Sequence, residues 1–304
     1  MDIIKPFTQN STAYLLQQKL LRHGLTEHET KELRKHQDGS RGETWFARAV
    51  AENCDEAIIY FDLVLTLMGK EFQIDCLIIM HDELYIFEVK WTNHDIICRN
   101  CTYYFLDSNV EIITYSQQAV RTKQLFRLLL ERNNLHYSTY YYHVFANPDR
   151  KIYGITPDDR CLTYHDVTPF LQQCSRVPMF YDHTALHRTL MKHALTHSRY
   201  EQTVIFDYKQ AARGVFCPCS QLISKATNKN FRCRCGKTFT TREFLDIALY
   251  DFRTLFPELP ISVPAIHDWC LKLVSERTIR RYLMNYYVPH GNKRATTYQP
   301  ANSK

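Results

Sequence analysis

Asp75, Glu88 and Lys90 stand close together in the otherwise mostly apolar stretch from Phe72 to Lys90. The stretch reads as two short strands, Ile74–Met80 and Leu84–Val89, joined by a polar turn at His81-Asp82-Glu83. Asp75 opens the first strand. Glu88 and Lys90 are two apart, so the pleat of the second strand points both to one face. Two carboxylates and an ammonium converging there are costly to bury unless a cation shares the negative charge. Mg²⁺, or Mn²⁺ in its place, suits oxygen ligands from Asp75, Glu88 and the carbonyl of Val89 between them. Lys90 could then orient a water or stabilise charge developing on a phosphate.

The segments around the hairpin have to position these groups. Ala57–Leu67 reads as a strand turned at Met68–Glu71 into the strand of Asp75, which predicts an antiparallel meander. Upstream, Thr12–Arg22 has helical apolar spacing, and Thr26-Glu-His-Glu29 is a capping box for a helix reaching about Gln37. Asp38-Gly39-Ser40 is expected to break the chain. A new helix then runs from about Gly42 to Glu52, burying Trp45, Phe46, Ala49 and Val50, with Glu43 in a first turn where a helix dipole favours a carboxylate. Downstream, Cys98-Arg-Asn-Cys101 reads as two thiols on a hairpin, since zinc needs four ligands and no second pair is near in sequence. A helix from Gln117 to Arg132 follows, with Arg121, Lys123 and Arg127 facing outward. Strands at Tyr137–Phe145, Lys151–Ile155 and Cys161–Tyr164 and a helix at Val167–Gln173 complete the pattern.

Asp, then Glu-x-Lys across a hairpin, resembles the catalytic core of the restriction-endonuclease-like PD-(D/E)xK nucleases. Within them the match narrows to the nuclease-related domain, NERD, over about residues 38–170. Gly42-Glu43 corresponds to the Gly-Glu pair of its first core helix, Ile74-Asp75 to its Ile-Asp and Glu88-Val89-Lys90 to its Glu-Val-Lys. Gln117 falls where the family has a helix-heading glutamine, with Gln118 as the neighbouring alternative. The family's preceding Asn-Pro is replaced here by Thr114-Tyr115-Ser116. The resemblance implies an α/β fold with a mixed sheet flanked by helices, and a catalytic set of Glu43, Asp75, Glu88, Lys90 and Gln117.

The chain has 304 residues, enough for more than one core, and a net charge of +6. Lys and Arg number 22 against 24 Asp and Glu in residues 1–200, but 16 against 8 in residues 201–304. A basic C-terminal third points to a polyanion held through its phosphates, DNA first and RNA not excluded. No apolar run is long enough to span a membrane, and Met1-Asp-Ile-Ile-Lys-Pro lacks a signal-peptide pattern. A cytoplasmic protein with its 11 cysteines as thiols or metal ligands is expected.

In that third, Cys217-Pro-Cys219 and Cys233-Arg-Cys235 resemble the two knuckles of a zinc ribbon, although each is one residue shorter than the usual Cys-x-x-Cys. Four thiolates leave no open position, so the Zn²⁺ would be structural. Helices are expected at Thr241–Leu255, Pro264–Leu273 and Ser275–Leu283, the last carrying Arg277, Arg280 and Arg281. With Val288–Tyr298, including Lys293 and Arg294, as a wing, this resembles a helix-turn-helix DNA-binding module. The tail after Tyr298 reads as disordered. Between the domains, His183, His187, His193 and His197 dot a segment read as a polar linking helix rather than a zinc site.

The expected organisation is therefore N-terminal helices (1–37), a NERD-like domain (38–180), a helical linker (181–212), a zinc-ribbon-like module (213–240) and a helix-turn-helix-like module (241–304). Two functions fit: a metal-dependent nuclease targeted to DNA by its basic third, or a non-catalytic DNA-binding or regulatory protein that keeps the nuclease fold as scaffold. The intact Asp, Glu and Lys favour the first.

Overall fold

The computed structural model describes residues 2–6, 11–174, 182–196, 198–199, 203–227, 229–291 and 296–300. Strand β1 (Asp2–Lys5) and helices α1 (Ser11–Arg22) and α2 (Glu27–Asn53) come first. The meander follows as β2 (Ile58–Leu67), β3 (Lys70–Met80) and β4 (Glu83–Lys90), then the hairpin β5 (Ile96–Arg99) and β6 (Thr102–Phe105). Next are α3 (Ile113–Arg132), β7 (Ser138–Phe145), β8 (Ile152–Tyr153), β9 (Cys161–Thr163), α4 (Tyr164–Cys174) and α5 (Thr184–His193). The last third holds β10 (Ser224–Lys225), β11 (Asn230–Arg232), β12 (Thr238–Thr240), α6 (Thr241–Leu255), α7 (Val263–Trp269), α8 (Glu276–Tyr286), β13 (Tyr287–His290) and β14 (Thr297–Pro300).

These elements divide into two units, one of Met1–Ala13 and Lys31–Gln202, the other of Tyr14–Thr30 and Thr203–Lys304. The first is α/β. Its central sheet runs β1-β2-β3-β4-β7-β9, with β2, β3 and β4 antiparallel and β7 and β9 added in parallel. One face packs against α2 and α4 through Phe46, Val50, Val167 and Leu171, the other against α3 and α5 through Phe126, Leu129, Leu186 and Leu190.

The break expected at Asp38-Gly39-Ser40 does not occur, because α2 runs unbroken from Glu27 to Asn53. Each helical glycine costs about 1 kcal/mol against Ala, but packing overrides propensity here. Gly42 is buried, and a Cβ on it would meet Val89 Cγ1 at 3.3 Å and Ala146 Cβ at 3.4 Å. Glu43 consequently sits mid-helix, away from any helix N-terminus. The segment read as a polar linker is also different. The α5 helix buries Leu186 and Leu190 on the sheet, while Nδ1 of His187 pairs with Tyr60 Oη at 2.8 Å and Nδ1 of His193 with the Thr66 carbonyl at 2.9 Å. Its histidines are thus docking groups; His197 lies outside the described residues.

Among the described residues of the second unit, Cys217, Phe231 and Cys233 join Phe244, Leu249, Phe252, Trp269, Ile279 and Leu283 in one core. The Phe231 ring stacks on Phe244 at 4.1 Å, tying the β10-β11-β12 sheet to α6. The start of α6 is fixed by a capping box between Thr240 and Glu243. The α7 helix stops at Trp269, short of the expected Leu273, because Leu271 and Lys272 adopt positive φ (53° and 58°). Ser275 caps α8, and β13 and β14 pair antiparallel through Pro300, past the point where disorder was expected.

Candidate functional site

The sheet comes apart at Asp75. The β2–β3 ladder pairs Phe61 with Cys76 and Leu63 with Ile74, but skips the opposed Asp62 and Asp75. Asp62 has φ 48°. The side-chain alternation slips there too: Phe72, Ile74, Leu77 and Ile79 of β3 all belong to the core on the α3 side, so the parity changes across Asp75. On the other flank, the β3–β4 ladder ends at Cys76 and Phe87. Beyond it the Val89 N–H donates to Asp75 Oδ2 at 2.8 Å instead of to a ladder carbonyl. The result is a fork between β3 and β4 with a carboxylate at its vertex.

Glu88 and Lys90 extend from β4 toward α3. Lys90 Nζ donates to Glu88 Oε1 at 2.7 Å and to Gln118 Oε1 at 2.8 Å, and the Gln118 amide donates in turn to Glu88 Oε1. Tyr141 Oη lies 3.5 Å from Glu88 Oε2, and the Tyr115 ring is 5.1 Å from Lys90 Nζ. Gln118, not Gln117, therefore meets the cluster. Gln117 is one helical step round and lines a separate cavity with Lys70, Ser116 and Arg121. Adjacent glutamines differ by about 100° on a helix, and only the depth of α3 on the sheet selects between them.

Glu43 approaches from α2, on the opposite face of the sheet. Burial, then Asp62 and Glu88, push its carboxyl up to about 7 against the pull of Lys90. Burial and repulsion by Glu88 and Glu43 likewise hold Asp75 well above the ordinary carboxylate range. Lys90 stays firmly protonated because Glu88 and Asp75 outweigh its burial. Asp62 was missed in the sequence reading. Its signal was an acid interrupting the apolar run Tyr60-Phe-Asp-Leu-Val64. It is already engaged, accepting from Gln73 Nε2 at 2.8 Å with Lys5 Nζ 4.0 Å away. The fork thus gathers Glu43, Asp75 and Glu88 around one ammonium, with an excess of carboxylate that a divalent cation would offset.

The four cysteines converge. The Sγ atoms of Cys217, Cys219, Cys233 and Cys235 all lie within 4.8 Å of one another. Cys217 and Cys235 are 3.7 Å apart and Cys219 and Cys233 3.3 Å, near the roughly 3.8 Å edge of a tetrahedron with 2.3 Å zinc–sulfur bonds. The short Cys-x-Cys pairs chelate because each sits on a tight turn. Ser220 (φ 68°) and Gly236 (φ 93°) return N–H groups to the carbonyls of Cys217 and Cys233. A hydrogen bond from the Lys237 amide leads the effects that push the Cys235 thiol down to about 7. The donor set fits Zn²⁺.

On α8, Arg277, Arg280 and Arg281 are exposed on the side opposite the buried Ile279 and Leu283. Lys293 and Arg294 lie outside the described residues. Among the described residues no helix is long and apolar enough to cross a membrane.

Residues 38–146 match the family model of the nuclease-related domain. The matched span takes in Glu43, the fork, Lys90 and Gln118. No curated protein and no solved structure matches the chain.

Proposed function

With a nuclease-related domain at residues 38–146 as the premise, we propose that the chain is a metal-dependent nuclease hydrolysing phosphodiester bonds of DNA. The observation that carries this reading is the fork itself, where Asp75 and Glu88 meet at Val89 and, among the described residues, Lys90 is the cation paired with them. Asp75, Glu88 and the Val89 carbonyl would hold Mg²⁺ or Mn²⁺, which when bound polarises a phosphoryl oxygen and acidifies a water. Lys90, clamped between Glu88 and Gln118, presents a fixed positive charge to the phosphate as negative charge develops on it. Glu43, with its carboxyl near 7, is suited to proton exchange with water at neutral pH. Attack of water on phosphorus forms one P–O bond and breaks another, leaving a phosphomonoester and a hydroxyl. In the second unit, the Arg277–Arg280–Arg281 face of α8 supplies affinity for DNA, with Zn²⁺ on the four cysteines bracing the sheet packed on α6.

The test is cleavage of single- and double-stranded DNA and RNA by the full chain with Mg²⁺, Mn²⁺ or EDTA. Metal-dependent loss of DNA substrate is expected; no cleavage of any substrate with either metal contradicts the assignment. Replacing Arg277, Arg280 and Arg281 with Ala should weaken DNA binding and flatten its salt dependence, because fewer counterions are released. An unchanged slope would remove α8 from the interface.

A further inference from the structure

Next to the fork, a cavity of about 740 Å³ opens between α3 and β7, lined among others by Lys123, Arg127, Tyr137, Tyr141 and Arg160. Its acids, Asp82 and Glu131, do not balance it: Glu131 is taken by Arg127 at 3.4 Å. Lys123 Nζ rests 4.9 Å from the centre of the Tyr141 ring and Arg160 Cζ 4.9 Å from that of Tyr140. Among the described residues neither cation makes an ion pair. They are close enough to repel. Burial comes first in pulling Lys123 below the ordinary lysine range, the Cys101 thiol opposes it, and Arg160 adds to it. Both side chains are exposed and, among the described residues, lack a carboxylate partner, which leaves two positive charges of the cavity lining open to an anion.

The cavity and the fork share Tyr141. Tyr141 carries Lys123 on its ring and places its hydroxyl 3.5 Å from Glu88 Oε2. His143 is the register partner of Glu88 on the adjacent strand and is influenced by both lysines. Burial, Lys90 and Lys123 together push it down to about 3, which keeps it neutral.

We propose that Lys123 and Arg160 form a phosphate subsite that holds the nucleic-acid backbone beside the phosphodiester to be cut, with Tyr141 linking subsite and fork. The subsite rests on the nuclease reading above and adds where the strand runs.

The experiment measures binding of a labelled single-stranded oligonucleotide to the full chain in EDTA over a range of salt. Lys123→Ala with Arg160→Ala should lower the slope of log K against log salt by about 0.7 to 1.4, one to two single-strand phosphates, and weaken binding about tenfold at low salt. The exchange Lys123→Arg with Arg160→Lys keeps both charges and should restore most of the slope, which separates lost charge from lost folding. Arg188→Ala with Lys192→Ala, on α5 and outside the cavity lining, should leave it unchanged. An unchanged slope in the alanine pair, or an equal loss in the α5 control, overturns the subsite. Displacement of the oligonucleotide by inorganic phosphate at matched ionic strength would mark a free-anion site and overturns the strand assignment. A wild-type chain that cuts nothing but shows the slope difference contradicts the nuclease reading and supports the subsite.

Discussion

In the second unit, Arg22 and Asp251 are 3% and 2% exposed and leave no charge over; in the first, three carboxylates face one ammonium. Arg22 donates to Asp251 Oδ2 at 3.0 Å, to Gln18 Oε1 at 3.1 Å and to the carbonyls of Ala212 and Gly214 at 3.0 Å, and lies 4.1 Å from the Trp269 ring. Tyr14 donates to the other oxygen of Asp251. Burial still pulls both ionised groups toward neutrality, Asp251 upward and Arg22 downward, against their mutual attraction and hydrogen bonds. The fork is the reverse case. Its acids have too few donors, and burial with mutual repulsion raises Glu43 and Asp75. A balanced buried cluster fixes how α1 joins the second unit's core, whereas the unbalanced one leaves a carboxylate excess, the feature on which the proposed cation site rests.

The comparison breaks most visibly at the fork. Asp75→Ala should reduce cleavage by about 10³-fold or more while DNA binding persists, and Lys90→Ala by about 10²- to 10³-fold, read as initial rates at saturating metal. In the second unit, Cys217→Ser or Cys233→Ser should take the zinc content from about one per chain to none, and lower the melting temperature. Elemental analysis of protein prepared without chelator checks this. Arg22→Ala should cost about 3–5 kcal/mol in denaturant unfolding, because it strands Asp251. Arg22→Met with Asp251→Leu removes both charges and should cost much less.

The smallest effect has opposite signs in the two regions. A carboxyl raised in the folded state binds its proton more tightly there than in the unfolded chain. The stability from Glu43 is therefore full below its ordinary 4.5 and is lost as pH rises through about 7. In EDTA the wild type should melt lower at pH 8 than at pH 5.5, and Glu43→Gln should shrink that difference. Asp75→Asn should stabilise the metal-free protein at pH 8 by ~1 kcal/mol, whereas Asp251→Asn should destabilise it.

What could be read from sequence was local. Alternation placed Asp75, Glu88 and Lys90 on a hairpin, and the cysteine spacing brought four thiols together despite short knuckles. The mixed sheet flanked by helices is the one that the family resemblance implied. What escaped depends on distant partners. Asp38-Gly39-Ser40 looks like a break and Gly42 like a helix start, yet α2 runs through both, with Gly42 set where a Cβ would press on Val89 and Ala146. The choice of Gln118 over Gln117 is set by how α3 lies on the sheet, and the meeting of Arg22 with Asp251 joins residues 229 positions apart. Asp62 acts on the fork because it stands opposite Asp75, at the one pair the β2–β3 ladder skips while keeping its register on both sides.

The central claim is that the excess of carboxylate at the fork is a divalent-cation site. Titration calorimetry of the zinc-loaded full chain with Mn²⁺ near pH 7, in buffers of different ionisation heat, tests it directly. The expected result is one saturable site with proton release, as Glu43 and Asp75 give up protons to the metal, lost in Asp75→Asn and in Glu88→Gln. Binding of the same strength in both variants, or no saturable heat in the wild type, would contradict it.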